Sequence, residues 1–257
     1  GRVYLTGTQA LVRLPMLQKQ RDKAANLKTG CFISGYRGSP LGAYDMALWQ
    51  ASNFLANNDI RFQPGVNEDL AATAIWGTQQ LNLIEKSDYD GVFGIWYGKG
   101  PGVDRCGDVF KHANSAGTSP HGGVIALMGD DHTAKSSTLA HQSEYAMMDA
   151  MIPVLSPAGV QEFLDLGLHG FAMSRFSGCW TGFKCVTMTV DSSASVYVDP
   201  HRVEIILPDN FAMPEGGLNI RWPESWVEQE VRLHNFKLLA AQAYVKTNQL
   251  DRVVLGN

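Results

Sequence analysis

With 257 residues, 45% apolar and 18% charged, the chain can fill one large core and is too apolar to be disordered. Its 21 basic and 25 acidic side chains leave a net charge of -4 and no basic stripe, which excludes a nucleic-acid partner. Cys31, Cys106, Cys179 and Cys185 make no C-x-x-C pair, so no zinc or iron–sulfur site is written in the chain and reduced, mostly buried thiols are expected.

No apolar run is long enough for a membrane span. Arg13, Lys19, Arg21, Asp22, Lys23 and Lys28 make the first segment unlike a secretory leader, so a cytoplasmic location and no membrane partner are expected. The chain opens without methionine and closes on the apolar stretch 253–257, so it reads as a piece of a longer protein.

In chain order, Leu11, Leu14 and Leu17 predict a helix over 6–27, bent at Pro15. A short strand over 30–34, a Gly/Pro turn and a helix over 44–55 follow. A strand over 60–63 feeds a helix that opens at Asn67, a good N-cap, and runs to about Leu83. That helix is expected to bury Leu70, Ala71, Ala74, Ile75 and Trp76, with Glu68 in its first turn. Residues 89–97 form a strand that Gly98, Gly100 and Gly102 break before a helix over 104–114. The clearest buried strand is 122–131, and a polar loop leads from it to a helix over 144–151. Next come an apolar segment at 152–155, a helix over 158–176 and a strand over 183–190. Residues 200–223, rich in Pro and Gly, predict an extended arm with room for a strand at 203–207, and a helix over 225–248 ends the chain.

Strands alternating with helices specify an α/β fold, a doubly wound and mainly parallel sheet with helices on both faces. Ligands in such sheets bind beyond the carboxyl ends of the strands, where the loops after Ser34, Tyr97 and Met128 fall, together with Glu68 if its helix begins there. Residues 1–199 are expected to be one domain, and 200–257 an arm and helix leading to a further domain.

Familiar motifs are absent. Gly98–Gly102 lacks the G-x-G-x-x-G order, and neither a P-loop nor a G-x-S-x-G elbow occurs. Asp130, Asp131, His132 and His141 are metal-ligand types, but their spacing matches no ligand pattern, so no metal site is expected. Glu68 and Asp69 either complement the helix dipole or aim a carboxylate into a pocket. Lys99 and Arg105 are either solvated charges or the holders of a substrate carboxylate. His112, His121 and His169 read as structural.

Five blocks carry a resemblance: Gly7-Thr8-Gln9-Ala10; Ser34-Gly35-Tyr36-Arg37-Gly38-Ser39-Pro40-Leu41-Gly42; Asn67-Glu68; Gly98-Lys99-Gly100-Pro101-Gly102-Val103-Asp104-Arg105; and Gly129-Asp130-Asp131-His132-Thr133-Ala134-Lys135-Ser136-Ser137. In this order the chain resembles the 2-oxoacid:ferredoxin oxidoreductases, and in particular the long fused-chain indolepyruvate ferredoxin oxidoreductases. The resemblance implies the pyrimidine-binding domain of a thiamine diphosphate enzyme. The whole enzyme would convert an aryl 2-oxoacid to an acyl-CoA by oxidative decarboxylation, passing electrons to ferredoxin through iron–sulfur clusters carried elsewhere, and would be a homodimer.

By the same resemblance, Glu68 shares a proton with N1′ of the cofactor's aminopyrimidine, so that the 4′-nitrogen can take the proton from the thiazolium carbon. An apolar pocket around Glu68 would raise its carboxyl pKa, whereas a helix N-terminus would lower it. Gly38, Ser39 and Pro40 match a cofactor-facing loop, with Ser39 in place of the usual threonine and Arg37 in place of a common proline. Arg105 matches an arginine that meets the oxoacid carboxylate, and Lys99, Ser39, His132, Lys135 and Ser136 follow as substrate-pocket residues. Gly129-Asp130-Asp131 is a near miss of the Mg²⁺-binding Gly-Asp-Gly and no suitable Asn follows it, so the diphosphate and Mg²⁺ are expected on a downstream domain. A decarboxylase or transketolase-like enzyme is the nearer alternative. A non-catalytic dimerisation or binding module, with Glu68 as a cap charge, is the other.

Overall fold

The computed structural model describes residues 1–84, 86–133, 139–253 and 255–256. An unexpected strand, β1 (Arg2–Thr6), comes first and leads into α1 (Gly7–Ala24). The junction is a reciprocal cap: Gln9 N donates to Thr6 Oγ1 at 3.1 Å, and Thr6 N donates to Gln9 Oε1 at 3.0 Å. The predicted strand at 30–34 is β2 (Thr29–Gly35). The helix expected over 44–55 is two short helices that meet at Ala51, α2 (Tyr44–Gln50) and α3 (Ser52–Ala56). Strand β3 (Ile60–Phe62) then feeds α4 (Glu68–Thr78).

Asn67 caps α4 as expected, accepting from Leu70 N at 2.8 Å, but the helix ends at Thr78 and a 3-10 turn at Leu81–Leu83 replaces its last predicted turns. Its buried residues are Ala71, Ala72 and Ile75, with Trp76 half-buried, while Leu70 and Ala74 face solvent. Alanines on the inner face let the helix lie close to the sheet, and the hydrophobic stripe is narrower than periodicity suggests.

Strand β4 (Gly91–Lys99) runs straight into α5 (Gly100–Arg105) and α6 (Gly107–Ala116). The glycine-rich stretch ends the strand at Lys99, as expected, but no loop separates the strand from the helix that follows. It starts a helix, with Pro101 in the first turn, where a missing N–H costs nothing. Strand β5 (Val124–Asp130) is buried throughout, and α7 (Glu144–Asp149), the edge strand β6 (Val154–Leu155), α8 (Val160–Ser177) and β7 (Thr181–Val186) follow. The strand predicted to reach 190 stops at Val186, and α9 (Thr187–Val190) turns the chain into β8 (Ser193–Tyr197), which pairs antiparallel with β1.

At 203–207 no strand forms among the described residues. The backbone of Ile206 is satisfied instead by the Asn248 side chain, which accepts from its N–H at 2.9 Å and donates to its carbonyl at 2.8 Å. The terminal helix is α10 (Trp226–Arg232), a π-helical stretch (Leu233–Lys237) and α11 (Leu238–Thr247).

The main sheet has the order β3-β2-β4-β5-β7-β6 and every pair in it is parallel, as the alternation of elements required. One face, with Ile33, Phe93, Ile95, Tyr97, Ile125, Leu127 and Phe183, packs under α1, α2, α8 and α11. The other, with Trp96, Val124, Ala126 and Met128, packs under α4, α5, α6 and α7. β2 leaves for β3 on one side, and β4 takes the opposite side, so strand order reverses between β2 and β4. Their carboxyl ends form the topological switch point.

Candidate active site at the carboxyl edge of the sheet

Glu68 opens α4 at this edge, its side chain only 14% exposed. Two contacts seat it. The Trp96 indole N–H donates to the Glu68 carbonyl at 3.1 Å, and the side chain lies against the first turn of α5, where a Cβ added to Gly102 would stand 2.6 Å from Glu68 Cγ. Glycine at 102 therefore makes the cradle in which the carboxylate rests.

Arg105 is 54% exposed. Its Nε meets Asp69 Oδ2 at 3.2 Å and its Nη1 lies 3.9 Å from Glu68 Oε2. An incoming carboxylate would have to share this guanidinium with Asp69. Next in the chain, the Cys106 thiol is pushed far up by burial and by the nearby Asp69 and Glu68, so it stays protonated and inert.

The loop after β2 meets the neighbouring strand ends. Gly38 lies over the Lys99 side chain, 2.9 Å from its Cβ to an added methyl, and Pro40, after a cis Ser39–Pro40 bond, packs against Gly129. Gly38, Ser39, Pro40 and Lys99 are thus together at the switch point, and Glu68 stands beside α5, which Lys99 introduces and Arg105 ends. Arg37 is exposed. Its charge lies beside Asp45, whose carboxyl burial raises, while Tyr97 and Arg37 oppose the shift. The Asp45 carboxyl and the Tyr97 hydroxyl approach one another outside strict hydrogen-bond geometry.

His132 is at the same edge, its Nδ1 3.1 Å from the His141 carbonyl. Lys135 and Ser136 lie outside the described residues. The acidic end of β5 is committed elsewhere: Asp130 is buried and accepts from Ser143 N at 2.9 Å and Ser143 Oγ at 2.5 Å, and burial raises its pKa. Among the described residues no group of three or more His, Cys, Asp or Glu is placed to hold a metal. Two features escaped the sequence reading. His141 covers Gly100 and pairs with Asp104 at 3.3 Å, and Asp69 engages Arg105. Asp104 is four residues after Gly100 on one helix face, and that spacing was the available signal. A cavity of about 880 Å³ lies away from this edge, between β6 and α11.

The chain superposes on the solved 2-oxoglutarate:ferredoxin oxidoreductase from Magnetococcus marinus with a TM-score of 0.60 and 13% identity, over 96% of this chain and 45% of that one. In sequence it is 25% identical over 175 residues to the indolepyruvate oxidoreductase subunit IorA of Methanothermobacter marburgensis, covering 68% of this chain and 24% of that protein. The chain therefore spans about a quarter of that relative's length. No protein-family model matches it. Together the sequence match and the fold support a place for the chain in the 2-oxoacid:ferredoxin oxidoreductase family.

Proposed function

We propose that the chain is the pyrimidine-binding part, over residues 1–199, of a thiamine diphosphate-dependent 2-oxoacid:ferredoxin oxidoreductase acting on indolepyruvate or a similar aryl 2-oxoacid. The observation that carries this reading is Glu68, a little-exposed carboxylate at the carboxyl edge, seated on Gly102. Held there, Glu68 would offer its carboxyl to the aminopyrimidine of thiamine diphosphate, which when bound supplies a nucleophilic thiazolium carbon. Glu68 would hold the proton at N1′, and Gly38, Ser39 and Pro40 would line the cofactor's entry. Lys99, Arg105 and His132 would face the substrate, Arg105 releasing part of its hold on Asp69 to meet the carboxylate.

On this reading the diphosphate, Mg²⁺ and the iron–sulfur clusters belong to other domains, with 200–257 as the connecting arm, and CoA and ferredoxin bind there. The whole enzyme is a cytoplasmic homodimer. No helix among the described residues is long and apolar enough to cross a membrane. The test is indolepyruvate oxidation by the complete enzyme with thiamine diphosphate, Mg²⁺, CoA and a viologen acceptor. Glu68→Gln, with its fold intact, is expected to lose about a hundredfold or more, as removal of a general acid–base group does. A fully active Glu68→Gln enzyme would return Glu68 to a cap charge and sink the reading.

A further inference from the structure

A groove of about 580 Å³ lies at the amino edge of the sheet, the edge opposite Glu68. Its position follows from the order of elements. α1 leads into β2 and α8 into β7, so the last turns of both helices meet where those strands begin, and Arg175 Nε donates to the carbonyl of Gly122, just before β5, at 2.8 Å. The remaining wall is the arm, which Arg21 ties down: its Nη1 donates to Pro200 O at 2.6 Å and to Val203 O at 3.2 Å. Ala172, Phe176, Ile205, Leu207 and Met213 give the groove an apolar lining, and its volume is ordinary for a small-molecule pocket. Leu207 and Met213 are 58% and 46% exposed, so much of this lining is left uncovered by the chain.

The charges on the groove do not balance. Two guanidiniums, Arg21 and Arg175, line it with a single carboxylate, Asp22. Asp22 is fully engaged, accepting from Gln18 Nε2 at 2.8 Å, from Thr29 Oγ1 at 2.6 Å, and from Arg175 Nη1 and Nη2 at 2.6 and 2.9 Å. Arg175 is thereby paired and Arg21 is not. Among the described residues Arg21 meets only the two arm carbonyls, both through Nη1, so its Nε and Nη2 hydrogens have no acceptor there. Burial disfavours its charge, and the attraction of Asp22 offsets only part of that cost. The free Nε and Nη2 form the planar fork that matches the two oxygens of a carboxylate.

We propose that the groove binds a carboxylic acid with an apolar tail, its carboxylate held side-on by Nε and Nη2 of Arg21 and its tail laid between α8 and the arm. The inference does not depend on the reaction assigned above. A ligand so placed stays clear of Glu68 and braces the arm against the core. The test is calorimetric titration of the 257-residue chain with decanoate, beside decan-1-ol and acetate, together with amide exchange along 205–213. One decanoate per chain is expected, bound about tenfold or more tighter than decan-1-ol, which lacks the charge-assisted pair. Acetate, without the tail, should not bind measurably, and exchange along 205–213 should slow when decanoate is added. Arg21→Gln should weaken decanoate about tenfold and leave decan-1-ol unchanged. Because that variant also loosens two carbonyl contacts, Leu207→Glu offers a second route: it sets a like charge on the exposed wall, leaves Arg21 in place, and should weaken decanoate as well. Decanoate that fails to bind overturns the proposal, as does decan-1-ol or acetate binding as tightly as decanoate. Decanoate binding that is indifferent to either variant, or that leaves exchange along 205–213 unaltered, places the ligand elsewhere and overturns it too.

Discussion

At the scale of single residues, the candidate site depends on how closely two elements approach. Glu68 is seated because position 102 has no side chain. Gly102→Ala is expected to lower activity of the complete enzyme by about tenfold or more, because the added methyl must push the carboxylate off its place, a displacement of the kind that slows positioned catalysis. The fold should survive, and circular dichroism beside the kinetics would show whether it does. His169 illustrates a different use of burial. It is 7% exposed, its Nδ1 is 3.0 Å from the Tyr244 hydroxyl, and burial, aided by Arg21, lowers its pKa from 6.5 to about 4. The unfolded chain then binds the extra proton between those two values, so stability is whole above pH 6.5 and drains as pH falls towards 4, by roughly 3 kcal/mol at most. Urea unfolding across that range should show the slope, and His169→Gln should flatten it.

At the scale of elements, the long periodic segments were legible: the parallel strands and the helices at α1, α8 and the terminus stand near where spacing set them. Boundaries were less so, for identifiable reasons. Gly98, Gly100 and Gly102 read as a breaker because glycine is poor inside a helix, yet the first turn of α5 needs small residues where Glu68 and His141 press on it. The inner face of α4 was misjudged because alanine carries little hydrophobic signal, although it decides how near the helix sits. The end of α6 shows a bond pattern that sequence could not reveal. Its last carbonyls are met from α10 and the π-helical stretch: Lys237 donates to Asn114 O at 3.0 Å and Ser115 O at 2.8 Å, and Arg232 donates to Ala116 O at 3.1 Å while pairing with buried Glu224. Arg232→Met leaves three carbonyls without their donor and Glu224 with Arg221 alone, 3.2 Å away, so it should destabilise the chain by about 3 kcal/mol, read from chemical unfolding.

At the scale of the whole molecule, the order of strands places the candidate site, since the reversal between β2 and β4 brings Gly38, Pro40 and Lys99 to one point. Sequence alone gave the alternation and the edge, but not the order, which emerges only from pairing. The β1–β8 ribbon was invisible for the same reason, each strand being too short and mixed in character to declare itself. Its placement has a kinetic consequence. Arg2 can find Tyr197 only after nearly all the sheet-forming chain between them has collapsed, so the ribbon is the most non-local pairing in the molecule and should close late, after the rate-limiting step. Val196→Ala, at a buried site of the ribbon, should therefore speed unfolding in a stopped-flow chevron and leave the refolding arm almost unmoved. The first residues of the chain would then act as a latch, fastened last, that governs how long the folded domain lasts rather than how fast it forms.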